Sequence, residues 1–356
     1  MTATTKVDVL IAGLGPAGSC AAREVAKAGY TVIAVERKAE AGKPVQCAEF
    51  VPSTVGIDVG CLSATSQQTI QSMVTFVEDG RGEKTENFPG LMIDREAFDS
   101  SLAQSARADG ADCRFGACIK DVTQNGRFLL ADGTEIEAKV LIGADGPKSV
   151  VGKAINQINL HIAETRQITV PLLEPSNSTD IFLSAGFIGG YGWLFPKENH
   201  ANIGLGLLPE HKHKLKSLLA DLHKDLIKSG RVGEKIFYHT GGVIPAGGML
   251  KPFGLLGKTT VLLAGDAAGL TNPVTGAGIN AAILSGRLAG QCAVELLTAN
   301  YDAAEDYQEE LEDLFKPSLE RALKRRKALL GQYESGKPDG ADLRHNWIAY
   351  PEYWAA

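Results

Sequence analysis

The stretch that most narrows the choice of fold is Gly13-Leu14-Gly15-Pro16-Ala17-Gly18, because of what stands on either side of it. Before it, Val7 to Ala12 is a short, mostly apolar run, as expected for a parallel strand buried on both faces. After it, Ser19 to Ala28 is rich in alanine and free of breakers, which predicts a helix. Strand, tight turn and helix together are the setting that a dinucleotide fingerprint needs. Gly13 permits the turn, Gly15 lets backbone approach a pyrophosphate, and Gly18 lets helix and strand pack closely. Ala17 stands at the helix start, where free N–H groups face phosphate charge. Tyr30 to Val35 predicts a second strand, ended by Glu36 about twenty residues past the glycines, with Arg37 next to it. An acidic side chain there accepts hydrogen bonds from both ribose hydroxyls and repels a 2′-phosphate.

The chain has 356 residues, of which 40 are glycine and 44% are hydrophobic, ample for a large core in two interleaved domains. A formal charge of −6 argues against a nucleic-acid partner. The N-terminus carries no signal-peptide core, and no apolar run approaches the roughly 18 residues of a membrane span. A cytoplasmic protein with at most peripheral membrane contact is expected. The six cysteines (20, 47, 61, 113, 118 and 292) lack metal-ligand spacing, so no metal is expected.

Two more glycine-centred stretches follow. Val140 to Gly146 contains Gly143-Ala144-Asp145-Gly146-Pro147, and Val261 to Asp266 leads to Gly276-Ala277-Gly278-Ile279-Asn280. Between the first two, Asp94-Arg95-Glu96-Ala97-Phe98-Asp99 with Leu102 and Ala106 reads as a helix start. In this order and at these distances the segments resemble the flavoprotein family of aromatic hydroxylases and geranylgeranyl reductases. The resemblance implies FAD, held by Gly13, Gly15, Ala17, Gly18, Glu36 and Arg37 at its nucleotide end. It implies Arg95 at the phosphates or ribityl chain and a second turn at Asp145 and Gly146. Asp266 is then expected on a ribityl hydroxyl, and Gly276, Gly278, Ile279 and Asn280 at the flavin. A helix beginning there faces the flavin edge where negative charge appears on reduction. The plainer reading of Arg95 is an i,i+4 pair with Asp99.

Two local signatures resemble the geranylgeranyl reductases in particular. Gly190-Tyr191-Gly192-Trp193-Leu194-Phe195-Pro196-Lys197 is similar to their Y-x-W-x-F-P-K motif, and Lys43-Pro44-Val45-Gln46-Cys47-Ala48-Glu49 to their cysteine loop. On a strand, Tyr191 and Trp193 face one side, and a large apolar wall beside a flavin suits an unsaturated hydrocarbon. The plainer reading makes Trp193 and Phe195 sheet core. The resemblance implies flavin contacts for Cys47 and Ala48, catalytic roles for Cys47, Tyr191 and Trp193, and Cys47 or Tyr191 as proton donor.

Two departures from the family argue against a chain as long as geranylgeranyl. Phe50 stands where many relatives have a small residue, which narrows or closes the flavin's mouth, and much of the C-terminal region that builds a lipid tunnel in longer relatives is lacking. Cys113 and Cys118 have the C-x4-C spacing of flavin disulfide reductases, but within one strand, Cys113 to Ile119, they face opposite sides and read as core thiols.

The expected fold class is α/β: a discontinuous Rossmann-like FAD domain (1–60, 93–153, 255–300), a smaller α+β substrate domain on an antiparallel sheet (61–92, 154–254), and C-terminal helices with an aromatic tail (301–356). Met73 to Val77 and Thr85 to Phe88 read as a hairpin, while Ile181 to Leu183, Tyr191 to Phe195, Ile203 to Leu208 and Phe237 to Ile244 read as strands. Lys214 to Lys228 reads as a helix. Pro317 is expected to break or kink any helix through it. The basic run Arg321, Lys324, Arg325, Arg326, Lys327 either complements a helix dipole or rests on anionic lipid or an acidic partner. The aromatic tail, His345 to Trp354, either packs back as a lid or docks another protein.

The expected function is reduction of a C=C bond in an isoprenoid or similar apolar substrate. No second nucleotide fingerprint follows a strand, so NAD(P)H binds transiently or a reduced ferredoxin supplies the electrons. The rivals are a flavoprotein that donates electrons to a partner enzyme, such as an iron–sulfur or radical enzyme of lipoate or other cofactor assembly, and a flavin monooxygenase.

Overall fold

The computed structural model describes residues 4–53, 60–122 and 126–355. The backbone of Gly60 and Cys61 is included, but the Cys61 side chain lies outside the described residues. Two large sheets and a small one organise the chain.

In the first sheet Thr5–Ala12 is central, flanked in parallel by Glu135–Gly143 and Val32–Glu36. Thr259–Leu263 and Asp112–Phe115 extend it in parallel, and Phe253–Leu256 adds an antiparallel edge. Val9 to Ala12, Val140 to Ile142 and Val261 to Leu263 are all buried, which is why these strands read as unbroken apolar runs. Two helices, Pro16–Lys27 and Ile279–Leu297, lie against each other at very short range. A Cβ on Gly286 would stand 2.2 Å from the Ala17 carbonyl oxygen, so glycine there sets the approach of the two backbones.

The second sheet runs Tyr238–Thr240, Ile162–Pro171, His200–Leu207, Gly192–Lys197, Ser178–Leu183, Ser72–Val77, Glu83–Thr85. Its neighbours are antiparallel except for Ser178–Leu183 beside Ser72–Val77. Leu215–Lys228 covers one face through Leu215, Leu219 and Leu226. A third sheet, Phe50–Pro52, Gly90–Ile93 and Ser66–Ile70, lies outside the sequence reading.

Several expectations need correction. Cys113 and Cys118 do not share a strand: Gly116, at φ +72°, ends Asp112–Phe115, and the next strand is Ile119–Val122. Cys113 is buried and its thiol is pushed up by that burial, whereas Cys118 is only half-buried. Phe237 to Ile244 is two short strands, Tyr238–Thr240 and Val243–Pro245, separated at Gly241 and Gly242. The second arm of the early hairpin is Glu83–Thr85, short of Phe88. Ala303–Ser335 continues as one helix through Pro317. Pro317 and Asp313 are both exposed, so water can solvate the carbonyl that loses its partner.

The basic run is not one charged face. Arg325 is buried and donates to the carbonyls of Glu352, Tyr353 and Ala355. Arg326 donates to the Gly189 and Pro273 carbonyls at 2.7 and 3.3 Å, and burial lowers its pKa to about 10. The tail packs back: Leu343, Trp347 and Tyr353 are each less than 5% exposed. Among the described residues, no helix is long and apolar enough to cross a membrane.

Candidate active site

The glycine turn is built by contact between backbones. Gly13 has φ +95°, and a Cβ on it would lie 2.2 Å from the Ala144 carbonyl oxygen. A Cβ on Gly18 would lie 1.9 Å from the Gly13 oxygen. Gly15, by contrast, has open space where a side chain would be, and it caps the Pro16–Lys27 helix without any side-chain bond. The turn is therefore tight behind and open in front, at a helix start where backbone N–H groups lack intrahelical partners by construction. Gly15, Pro16 and Ala17 line a cavity of about 740 Å³.

At the end of the second strand, the Glu36 carboxylate accepts from the N–H groups of Leu14 and Lys38 at 3.1 and 2.9 Å. Those bonds fix the side chain and leave acceptor positions open for hydroxyls. Arg37 beside it is exposed. Arg95 lines the cavity and forks onto Asp99 at 3.0 and 2.9 Å, so the i,i+4 pair and a place in the cavity coexist. Cys47 also attracts its guanidinium electrostatically. Burial opposes its charge, but Asp99 beside it outweighs that and raises its pKa.

Ala144 and Gly146 line the cavity, but the Asp145 carboxylate turns to a short helix, Val150–Ala154. It accepts from Ser149 Oγ at 2.5 Å and from the Val150 N–H at 2.7 Å, and burial raises its pKa. Asp266 lines the cavity, with its carboxyl pushed up by burial and held by Thr271 Oγ1 at 2.6 Å. Gly276 has φ +71°, and Gly278 caps the Ile279–Leu297 helix without a side-chain bond. Ile279 and Asn280 line the same cavity, and Asn280 Nδ2 donates to the Pro52 carbonyl at 3.0 Å. Thr271, missed in the sequence, stands against Gly278: a Cβ there would be 2.5 Å from its hydroxyl oxygen. The two uncapped helix starts, the open Gly15 and the carboxylates of Glu36 and Asp266 fit FAD.

The far wall is one face of the second sheet. Register places Gln167 and Trp193 on either side of Gly204, with Ile181 beyond. A Cβ on Gly204 would meet the Trp193 ring at 2.3 Å, so that glycine makes room for the indole. Tyr191 and Trp193 touch edge to face at 5.8 Å, as their strand spacing predicts. Phe50 packs on Phe195 and Phe88, with ring centroids at 5.5 and 6.1 Å. It lines the cavity and leaves that volume in place.

Cys47 is half-buried and lines the cavity beside Ala48. Its loop is tied to the sheet by a chain of bonds. Trp193 Nε1 donates to Gln167 Oε1 at 3.0 Å, and Gln167 Nε2 donates to the Cys47 carbonyl at 3.1 Å. Glu49, 6% exposed and at φ +68°, anchors the loop's end. Its carboxylate accepts from Lys197 Nζ at 2.8 Å, Asn202 Nδ2 at 3.0 Å and the Arg95 N–H at 3.1 Å. Gln167 and Asn202 carry no sequence signal of this; Lys197 was visible in its motif, though its partner was not. Tyr191 donates its hydroxyl proton to the Thr275 carbonyl at 2.5 Å, and burial raises its pKa.

Residues 6–172 match the FAD binding domain family, and residues 163–243 match the geranylgeranyl reductase catalytic domain. The digeranylgeranylglycerophospholipid reductase of Methanosarcina acetivorans is 31% identical over 323 residues, covering 85% of this chain and 78% of that protein. Digeranylgeranylglycerophospholipid reductase 1 of Methanopyrus kandleri is 33% identical, covering 88% of each. A crystal structure of a geranylgeranyl bacteriochlorophyll reductase-like protein from Thermoplasma acidophilum superposes with a TM-score of 0.81. It covers 96% of this chain and 90% of its own, and at 23% identity it shows the fold. The chain is thus an FAD-dependent oxidoreductase, with the expected α/β fold class.

Proposed function

This chain belongs to the geranylgeranyl reductase family of flavoproteins, and from that premise we propose that it saturates C=C bonds in the prenyl chain of a lipid. The observation that carries this reading is the continuity of one cavity, from Gly15 at the glycine turn to the aromatic face of Tyr191, Trp193 and Phe195. A charged or strongly polar substrate would lose its hydration against that face, whereas an isoprenoid loses nothing.

FAD in its reduced form, when held there, would supply the hydride. The chain's own residues do the rest. In our assignment Gly13, Gly15, Ala17, Gly18 and Glu36 hold the nucleotide end, with Arg37 at its edge. Arg95, Gly146, Asp266 and the Gly276 to Asn280 helix start hold the remainder, and Asp145 braces the second turn. The aromatic face excludes water and lays the olefin flat. Saturation needs one hydride and one proton, and we assign the proton to Cys47 Sγ. The negative charge left on sulfur then faces the Arg95 guanidinium. Tyr191 is the poorer donor, because its O–H is already spent on Thr275 and its burial disfavours the anion. We place Tyr191 and Trp193 as the wall that orients the chain. Electrons come from NAD(P)H or a reduced ferredoxin in a reducing cytoplasm, and residues 1–60, 93–153 and 255–300 make up the FAD unit in this reading.

The test is anaerobic. Protein reduced with dithionite is mixed with a geranylgeranyl phospholipid, and flavin reoxidation is followed along with product mass. The expected result is reoxidation with a gain of two hydrogens per double bond. Reoxidation only on admission of oxygen, or only with an added acceptor protein, would overturn the proposal. Full turnover in Cys47→Ser would remove that residue as proton donor.

A further inference from the structure

The C-terminal tail is a wall of the cavity, and one residue in it stands across the path of a substrate chain. Trp347, Ile348, Tyr353 and Trp354 all line the cavity. The Trp347 indole is 4% exposed, and its centroid lies 4.8 Å from that of Tyr191. Phe195 and Trp193, alternate residues of the Gly192–Lys197 strand, and Tyr191 just before it form a row, and Trp347 caps the Tyr191 end of it. A prenyl chain laid along the row runs into the indole.

The ring is held in place from several directions. Leu343, one turn earlier, packs in the same cluster as Met73 and Val77. Arg344 pairs with Glu83, and the Trp347 N–H donates to the Arg344 carbonyl at 3.0 Å. Arg325 grips the end of the tail through the carbonyls of Glu352, Tyr353 and Ala355, and meets His345 at 2.6 Å. Trp347 Nε1 is buried and meets no acceptor among the described residues, so the indole acts there through its bulk and not through a bond. A large rigid ring at the end of an apolar slot discriminates by length, because extra carbons meet a wall that cannot yield.

We infer that Trp347 is a specificity-determining residue, which sets the length of chain the cavity accepts. This rests on the prenyl reading of the cavity above.

The experiment uses the full chain loaded with FAD. Dissociation constants for geraniol, farnesol, geranylgeraniol and hexaprenol are measured by calorimetry on wild type, W347A and W347F. W347A is expected to improve hexaprenol binding relative to geraniol about tenfold, while W347F, which keeps a ring, leaves the ratio within about twofold. An unchanged ratio in W347A that retains FAD and melts normally overturns the inference and leaves the prenyl reading intact. If W347A fails to fold, W347L is read in the same way. A wild type that binds none of these prenols ends both readings.

Discussion

The nucleotide end and the aromatic end of the cavity are built by different means. At the nucleotide end the working surface is backbone: Gly15 is open, Gly13 and Gly18 are jammed against main-chain atoms, and two helices start uncapped. At the aromatic end it is side chains drawn from far apart in the chain, such as Cys47, Gln167, Trp193 and Trp347. A backbone cradle tolerates almost no added atom. A side-chain wall can lose one member, keep its cofactor and change its chemistry.

The largest effect tests the first half of that contrast. Gly18→Val drives carbon into the Gly13 carbonyl, 1.9 Å from where its Cβ must go. The expected loss exceeds about 4 kcal/mol, with little folded protein and no visible flavin absorbance. A yellow, normally melting Gly18→Val protein would break the comparison outright.

Glu49→Ala comes next, since it strands the mostly buried Lys197 ammonium and takes one acceptor from the Asn202 amide. A cost of about 3–5 kcal/mol is expected for leaving such a charge unpaired, read as a lower denaturation midpoint. FAD content per folded molecule should hold while turnover falls. Equal loss of both would mean that the cysteine loop belongs to the nucleotide end.

Gln167→Leu is smaller. It orphans the buried Trp193 N–H and frees the Cys47 carbonyl, at about 1–3 kcal/mol. Turnover is expected to drop with FAD affinity unchanged, and unchanged turnover would show that this link does not position Cys47.

Asp266→Asn separates stability from function. Burial raises the carboxyl above its ordinary 3.8 in the folded protein, so the folded form binds its proton more tightly than the unfolded chain. The wild-type apoprotein must then lose stability relative to the amide variant as pH rises above 3.8 through the folded value. The melting difference should be absent below that pH and favour the variant above it, while FAD affinity falls. A variant less stable at neutral pH would reverse the sign and sink the argument. The smallest effect is expected from Lys43→Ala at the exposed pair with Glu96, which should leave melting and activity unmoved.

The same contrast explains what was legible in the residues. Val7 to Ala12, the glycines and the Ala-rich helix behind them are contiguous, so strand, turn and helix could be read together. The alternate placing of Tyr191 and Trp193 was equally local, because a strand's pleat puts both on one side. Errors came where a short element ended on a turn: Gly116 split one expected strand and Gly241 with Gly242 another. Pro317 misled because its cost depends on whether water reaches the freed carbonyl, which is a matter of burial.

By itself, then, the order of residues determined the nucleotide cradle, the family and the aromatic stripe, since each depends on neighbours within a few positions. Only tertiary structure decided that Glu49 clasps Lys197, that Gln167 joins Trp193 to Cys47, and that Arg325 pulls the tail home until Trp347 meets Tyr191. Those contacts span tens to hundreds of positions. A side chain's chemistry says what it can bond, but only the packed fold brings the partner within reach.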